Sequence, residues 1–107
     1  MKVPTIRDIP DLLLQFGIPA HRVGFKYLCI ALADYQKDSP PFFTKELYPA
    51  IAKKAGTSDW RSVEHGIRQA IIAGWKRGNK EFWNMYFPGS KRPPTSKRFI
   101  ATIAEYM

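Results

Sequence analysis

The side chains best suited to chemistry lie between positions 61 and 69, where cationic, acidic and amide groups recur at helical spacing. An arginine can pair with guanine O6 and N7, and a glutamate can accept a hydrogen bond from a cytosine amino group. A histidine can donate to a base or to a phosphate near neutral pH. The residues concerned are Arg61, Glu64, His65, Arg68 and Gln69. Their types and spacing favour contact with the edges of DNA bases.

Three of these residues also have a simpler structural explanation. Glu64 and Arg68 are four positions apart, which is the spacing of a helical surface ion pair worth about 0.3–0.5 kcal/mol. His65 equally suits a solvated surface histidine. From the sequence alone both interpretations of these residues stay open.

A helix-turn-helix unit that would position these side chains is predicted between Thr44 and Arg77. Thr44 is a suitable N-cap, and Pro49 suits the first turn of a helix, so the first segment is either one bent helix or two short ones. Gly56 provides a C-terminal stop. The turn after it is expected to be three or four residues long, as a sharp connection between two helices requires.

The long second helix of this unit is predicted from Ser58 to Arg77. Thr57 or Ser58 would cap it, and Asp59 in its first turn would complement the helix dipole. Its apolar positions form one continuous face that should be core: Val63, Ile67, Ala70, Ile71 and Trp75. The polar side chains fall on the other face, in the N-terminal half that meets base edges in a recognition helix.

The rest of the chain is predicted to be helical as well. A first helix should run from Asp8 to Phe16 and stop at Gly17, and a second from Val23 to Lys37 should end at the DSPP segment. The aromatic segment KEFWNMYFPG predicts a short helix that closes the core or forms a contact surface. Thr95 or Ser96 would cap a last helix. The expected fold class is all-α, with about six helices and no winged helix.

Charge is distributed unevenly along the chain. The formal net charge is +8, and residues 53–98 hold 11 basic side chains against three acidic ones. Such a polarised basic half suits the neutralisation of phosphates, although composition alone fits a soluble basic surface equally well. No run approaches the roughly 18 to 20 apolar residues of a membrane span, and no secretory signal is present. We therefore expect a cytoplasmic, nucleoid-associated protein without membrane contact.

Cys29 is the single cysteine, which excludes an internal disulfide and makes a cysteine-based zinc site unfavourable. Its apolar neighbours indicate a buried thiol, and no histidine forms a nucleophile–base pattern with it. Paired carboxylates, metal-ligand clusters and phosphate-binding glycine loops are not found in the sequence. We expect no enzyme activity, no metal and no cofactor.

Several segments resemble the DNA-binding effector domain of the sporulation initiation master response regulators, the stage 0 sporulation protein A family. The resemblance covers nearly the whole chain, with the segments in order and at similar spacing. The matching segments are GIPAH (17–21), Tyr27–Leu28, TKELYPAIAKK (44–54), VE..IR.AI (63–71), W.RGN (75–79) and PTS..FIA (94–101).

This resemblance implies an all-helical effector domain that binds a short DNA box similar to TGTCGAA, with two copies in tandem. It also implies base contacts from the positions of Ser62, Glu64 and His65. The family's usual arginines are missing at Ser62 and His65, and each missing bidentate pair would weaken base readout by about 1–3 kcal/mol. Arg61, one position earlier, is expected to compensate in part.

The family's regulators also carry a phosphoacceptor receiver domain before this module. Within these 107 residues we expect a single helix-turn-helix domain, no receiver domain and no phosphorylation switch. The divergent start of the chain favours a stand-alone protein over an excised fragment.

The sequence thus predicts a DNA-binding transcriptional regulator. Base readout is expected from Arg61, Ser62, Glu64, His65, Arg68 and Gln69, and phosphate contacts from Lys53, Lys54, Thr57, Ser58, Lys76, Arg77, Lys91 and Arg92. Expected partners are double-stranded DNA, a second copy in a tandem dimer and RNA polymerase. The alternative is a protein-interaction module that has kept the fold and lost base readout, docking on a related regulator or on RNA polymerase through Trp60, Trp83 and Tyr86.

Overall fold

The computed structural model describes residues 8–35 and 42–106. These residues form α1 (Ile9–Gln15), α2 (Val23–Asp34), α3 (Tyr48–Ala55), α4 (Trp60–Arg77), α5 (Lys80–Tyr86) and α6 (Ser96–Ala104), and a π-helical turn (Phe43–Leu47) leads directly into α3. No strand occurs in the described residues, so the predicted all-α fold of about six helices is confirmed. None of these helices is both long and apolar enough to cross a bilayer.

Helices α2 and α4 form the centre of the fold. α2 packs against α1, α3, α4 and α6, and at Gly24 its backbone comes very close to that of α4. A Cβ atom at Gly24 would lie 2.1 Å from the carbonyl oxygen of Gly66, so only a glycine permits this crossing. The crossing holds α4 with its apolar face inward.

An aromatic cluster built around Phe16 joins α1, α5 and α6. The ring of Phe16 lies 4.6 Å from that of Trp83 and 5.3 Å from that of Phe99, and all three side chains are at most 1% exposed. The indole N–H of Trp83 donates to the carbonyl oxygens of Phe16 (2.9 Å) and Gly74 (3.1 Å). These two hydrogen bonds fix the end of α1 and the middle of α5 against the last turns of α4.

Several predicted helix ends are confirmed. α1 ends just before Gly17, which has a φ of +85°, and the hydroxyl of Thr95 caps α6 by accepting from the backbone N–H of Arg98 (3.2 Å). α2 ends at Asp34, earlier than predicted. The predicted DSPP stop, residues 38–41, lies outside the described residues.

The predicted cap at Thr44 is wrong, because this residue lies inside the π-helical turn. The carboxylate of Glu46 accepts from the N–H of Phe42 (3.0 Å) at the start of that turn, and the N–H of Tyr48 donates to the carbonyl of Phe43 five residues earlier. Pro49 has no N–H for an α-helical bond, so a wider turn before it is the expected response. The segment Phe43–Ala55 is therefore helical without a break, which favours one helix over two short ones.

Candidate nucleic-acid interface

The connection between α3 and α4 is four residues long, residues 56–59, within the predicted three or four. Gly56 adopts the left-handed conformation (φ +82°), and its N–H donates to the carbonyls of Ala52 and Lys53. This conformation is strained for a residue with a Cβ atom, so the glycine makes the sharp change of direction possible. The two helices thus form the expected helix-turn-helix unit.

The start of α4 differs from the prediction. The helix begins at Trp60 instead of Ser58, and its N-cap is Asp59, whose carboxylate accepts from the N–H of Arg61 (2.9 Å). Neither Thr57 nor Ser58 caps it, since the Thr57 hydroxyl accepts from the N–H of Asp59 (3.4 Å) instead. A carboxylate is a stronger acceptor than a hydroxyl and is also favoured by the positive end of the helix dipole.

The apolar face of α4 is buried as predicted. Val63, Ile67 and Ala70 are 0% exposed, Ile71 is 1% exposed, and Trp75 is half-buried at the edge of the core. Gly74 adds a close contact with Ile18 that the prediction missed. α4 therefore presents one fixed face to solvent.

The residues predicted for base readout lie on that outer face. Glu64 is half-buried, and the other five are exposed: Arg61, Ser62, His65, Arg68 and Gln69. The carboxylate of Glu64 and the guanidinium of Arg68 form an i,i+4 ion pair at 3.7 Å. This distance exceeds that of a charge-assisted hydrogen bond, so the pair is loose and both groups can take other partners.

Ser62 is less available than its exposure suggests. Its hydroxyl donates to the second carboxylate oxygen of Asp59 (3.2 Å), so a contact with DNA must compete with the cap. Arg61 is held differently, with its guanidinium carbon 5.5 Å from the centre of the Trp60 ring. The Ser62 hydroxyl is therefore already bound to a carboxylate. Among the described residues, no carboxylate binds the guanidinium of Arg61.

A cleft of about 770 Å³ runs beside this face of α4. Four of the predicted readout residues line it: Arg61, Glu64, His65 and Arg68. Its other lining comes from the π-helical turn, the start of α3 and the segment Pro93–Lys97 at the start of α6. The sequence did not predict this juxtaposition, because the contact of α6 with α4 depends on tertiary packing.

The residues predicted for phosphate contact are spread over the surface and none lines this cleft. Lys53 and Lys54 end α3, Lys76 and Arg77 end α4, and the remaining four lie in the turn (Thr57, Ser58) and in the loop before α6 (Lys91, Arg92). At 1.5 Å per residue, Lys76 is about 22 Å from Arg61 along α4. The ammonium of Lys54 already pairs with the carboxylate of Asp34 at 2.5 Å.

The aromatic residues assigned to a docking surface are not available as predicted. Trp83 is 1% exposed and Tyr86 is 5% exposed, because α5 packs its aromatic side onto Phe16. Trp60 is half-buried and lies parallel to the ring of Tyr48, at 6.4 Å between centroids. Of the two predicted roles for the segment KEFWNMYFPG, closing the core is therefore correct and forming a contact surface is not.

Cys29 packs against the hydrophobic core but is only half-buried, less than the buried thiol that the sequence predicts. Burial raises the pKa of its thiol, and the charge of the Asp8 carboxylate raises it further. A raised pKa keeps the thiol protonated and therefore weakly nucleophilic. Within the described residues, no three His, Cys, Asp or Glu side chains lie close enough together to hold a metal ion.

A comparison with known protein families gives a match that covers nearly the whole chain. The family model described as sporulation initiation factor Spo0A C terminal matches residues 9–107. This family is the DNA-binding domain of a sporulation regulator and is a regulatory family, not an enzymatic one. Its partner is double-stranded DNA.

Proposed function

The chain belongs to the Spo0A C-terminal family, and on this premise we propose that it is a sequence-specific transcriptional regulator whose helix α4 reads the major groove of DNA. The single observation that supports this reading is the outer face of α4. Five exposed polar side chains and one half-buried carboxylate follow directly after the helix-turn-helix connection, over the first half of the helix. Recognition helices contact base edges with this same part.

In this proposal Arg61 and Arg68 supply the donors that pair with guanine, and Glu64 accepts from a cytosine amino group. His65 and Gln69 add donors to base edges or to a phosphate. Ser62 contributes once its hydroxyl leaves Asp59. The loose pairing of Glu64 with Arg68 supports the proposal, because little attraction is given up when each turns to a base.

We assign the phosphate contacts to the basic residues around this helix. Lys53, Lys76, Arg77, Lys91 and Arg92 are candidates with accessible side chains, and Thr57 and Ser58 in the turn offer hydroxyls. Lys54 would have to leave Asp34, so its contribution should be the smallest among the lysines. These contacts would fix register on the duplex without adding sequence information.

The same proposal extends to the whole chain and its partners. Residues 1–107 form one DNA-binding domain, supported by a single hydrophobic core shared by helices α1 to α6. Two copies bind in tandem on DNA, and RNA polymerase is a further partner. The protein acts in the cytoplasm, on the nucleoid. We do not retain the protein-interaction module, since two of its three aromatic side chains are buried.

A competition experiment tests sequence-specific binding. The purified chain is bound to a fluorescent duplex that carries a TGTCGAA-like box, and unlabelled box duplex or random DNA is then added. The proposal predicts that box DNA displaces the probe at least tenfold more effectively than random DNA, equivalent to about 1.4 kcal/mol. Equal displacement by the two competitors would reject sequence-specific reading of this box.

A further inference from the structure

Two aromatic residues, Tyr48 and Trp60, line the cleft beside α4, and Phe43 continues this row of rings behind the lining. The rings of Phe43 and Tyr48 are 5.8 Å apart, and Tyr48 is followed by Trp60 at 6.4 Å. The ammonium of Lys97 lies 5.9 Å from the centre of the Phe43 ring, and Arg61 lies over Trp60. Cations held on aromatic faces keep their hydrogen-bond donors available for an anion.

The cleft carries an excess of positive charge. Its lining includes the cations Arg61, Arg68 and Lys97 and one carboxylate, Glu64. That carboxylate is loosely engaged by Arg68. The remaining charge is complementary to a phosphodiester chain, and the half-buried ring of Trp60 offers an apolar surface to its sugars.

Lys97 is unfavourably placed for its own helix. It is the second residue of α6, where the helix dipole is positive, and the first turn of α6 contains no acidic residue to offset it. Ser96 beside it lines the same cleft, is 7% exposed, and its hydroxyl has no hydrogen-bond partner among the described residues. An anion in the cleft would give this charged, incompletely satisfied end of α6 a partner.

The dimensions of DNA connect this cleft to the proposed major-groove reading, on which the inference rests. An α-helix with its side chains is about 10–12 Å wide and the major groove is about 12 Å wide, so a helix in the groove has a DNA strand on each side. The cleft occupies one side of α4. We propose that it holds the sugar–phosphate backbone of one strand, and that Lys97 on its far wall contacts a phosphate.

The first test compares three variants by fluorescence anisotropy at several salt concentrations, using box and scrambled duplexes. Lys97→Ala should weaken binding to both duplexes by the same factor, about three- to tenfold, and reduce the salt slope by about 0.9. Lys97→Arg should keep the affinity. Lys26→Ala, which removes an exposed lysine that does not line the cleft, should change neither quantity.

The second test locates the contact. Single phosphates of the box duplex are replaced by uncharged methylphosphonates, and each duplex is titrated with the unmodified chain and with Lys97→Ala. One or two adjacent replacements should weaken binding by the unmodified chain and have little further effect on Lys97→Ala. If every replacement affects both proteins equally, or if Lys97→Ala binds as tightly as the unmodified chain, the cleft assignment is wrong.

These outcomes separate the two proposals. Tight, sequence-preferring binding that ignores Lys97 would overturn the cleft assignment and leave the reading by α4 intact. Absence of binding to any duplex by the folded, unmodified chain would instead reject both.

Discussion

In the proposed reading of DNA by α4, Arg68 is the residue on which base readout should depend most. Its side chain is 55% exposed, and its only carboxylate contact in the described residues is the 3.7 Å approach to Glu64. Arg61 is also exposed but rests on Trp60, and Ser62 is bound to the helix cap. In the proposed reading by α4, DNA binding should therefore be sensitive to the removal of Arg68.

We expect Arg68→Ala to lower affinity for the box duplex by about 1–3 kcal/mol, because the variant cannot form a bidentate pair with guanine. The scrambled duplex should be affected less, so the ratio of the two dissociation constants falls. The matched variant is Arg68→Lys, which keeps the charge and removes the planar fork. Anisotropy titrations would contradict the readout role if Arg68→Lys kept the full preference for the box.

Tyr48 gives a prediction about alkaline pH. Burial raises the pKa of its phenol above the ordinary value of 10.0, and the charge of Glu64 raises it further, while the charge of Arg68 opposes the shift. The unfolded chain releases this proton first, so the contribution of Tyr48 to stability is constant below about pH 9 and falls as pH rises through 10. Tyr48→Phe should reduce that fall in urea unfolding experiments at pH 8 and at about pH 11. An unchanged pH dependence in the variant would contradict the assignment to Tyr48.

At the scale of the helices, the sequence predicts most of the fold. The apolar spacing of α4, the glycine at position 56 and the threonine cap of α6 are local signals, and each gives the observed structure. Errors arise where two local groups compete for the same role. Asp59 displaces Thr57 and Ser58 as the cap of α4 because a carboxylate is the better acceptor.

Other features of these helices come from tertiary packing. The burial of Trp83 and Tyr86 depends on Phe16, which lies 67 residues before Trp83 in the chain. The position of an aromatic residue along α5 does not by itself show whether its side chain is buried in the core or exposed on a docking surface. The same limit applies to the cleft, because its walls come from the π-helical turn, α4 and α6.

The crossing of α2 and α4 gives a stability prediction. In Gly24→Ala the new methyl group would meet the backbone oxygen of Gly66 at 2.1 Å and the Cβ atom of Ala70 at 2.7 Å. Neither atom can move without shifting a helix, so we expect a decrease of about 1–3 kcal/mol in the free energy of unfolding. Lys26→Ala, an exposed change in the same helix, should stay within about 0.5 kcal/mol. Denaturation curves that coincide for Gly24→Ala and the unmodified chain would contradict the close crossing.

At the scale of the whole molecule, the basic residues lie on several elements of the surface. The residues proposed for phosphate contact extend from the end of α3 to the loop before α6, while those proposed for base readout occupy one half of α4. The count of charges in the sequence predicts that residues 53–98 are the basic half of the chain. It does not predict that Lys97 shares a cleft with Arg61 and Arg68, because the position of Lys97 depends on the packing of α6.

Removing a cation outside the cleft should act on all DNA alike. Lys91→Ala or Arg92→Ala is expected to weaken binding to box and scrambled duplexes by a similar factor, and to reduce the salt slope by about 0.9 for each phosphate that the variant no longer neutralises. Titrations at four salt concentrations measure both effects. A change in the preference for the box without a change in salt slope would assign these residues to base readout instead.

The central claim is that α4 reads DNA from the major groove, and dimethyl sulfate protection of the box duplex tests it most directly. The reagent methylates guanine N7, which lies in the major groove, and adenine N3, which lies in the minor groove. The account predicts that the chain protects guanine N7 within the box, that Arg68→Ala weakens this protection, and that adenine N3 stays reactive. Protection of adenine N3 with guanine N7 unprotected, in a complex shown to be saturated, would contradict it.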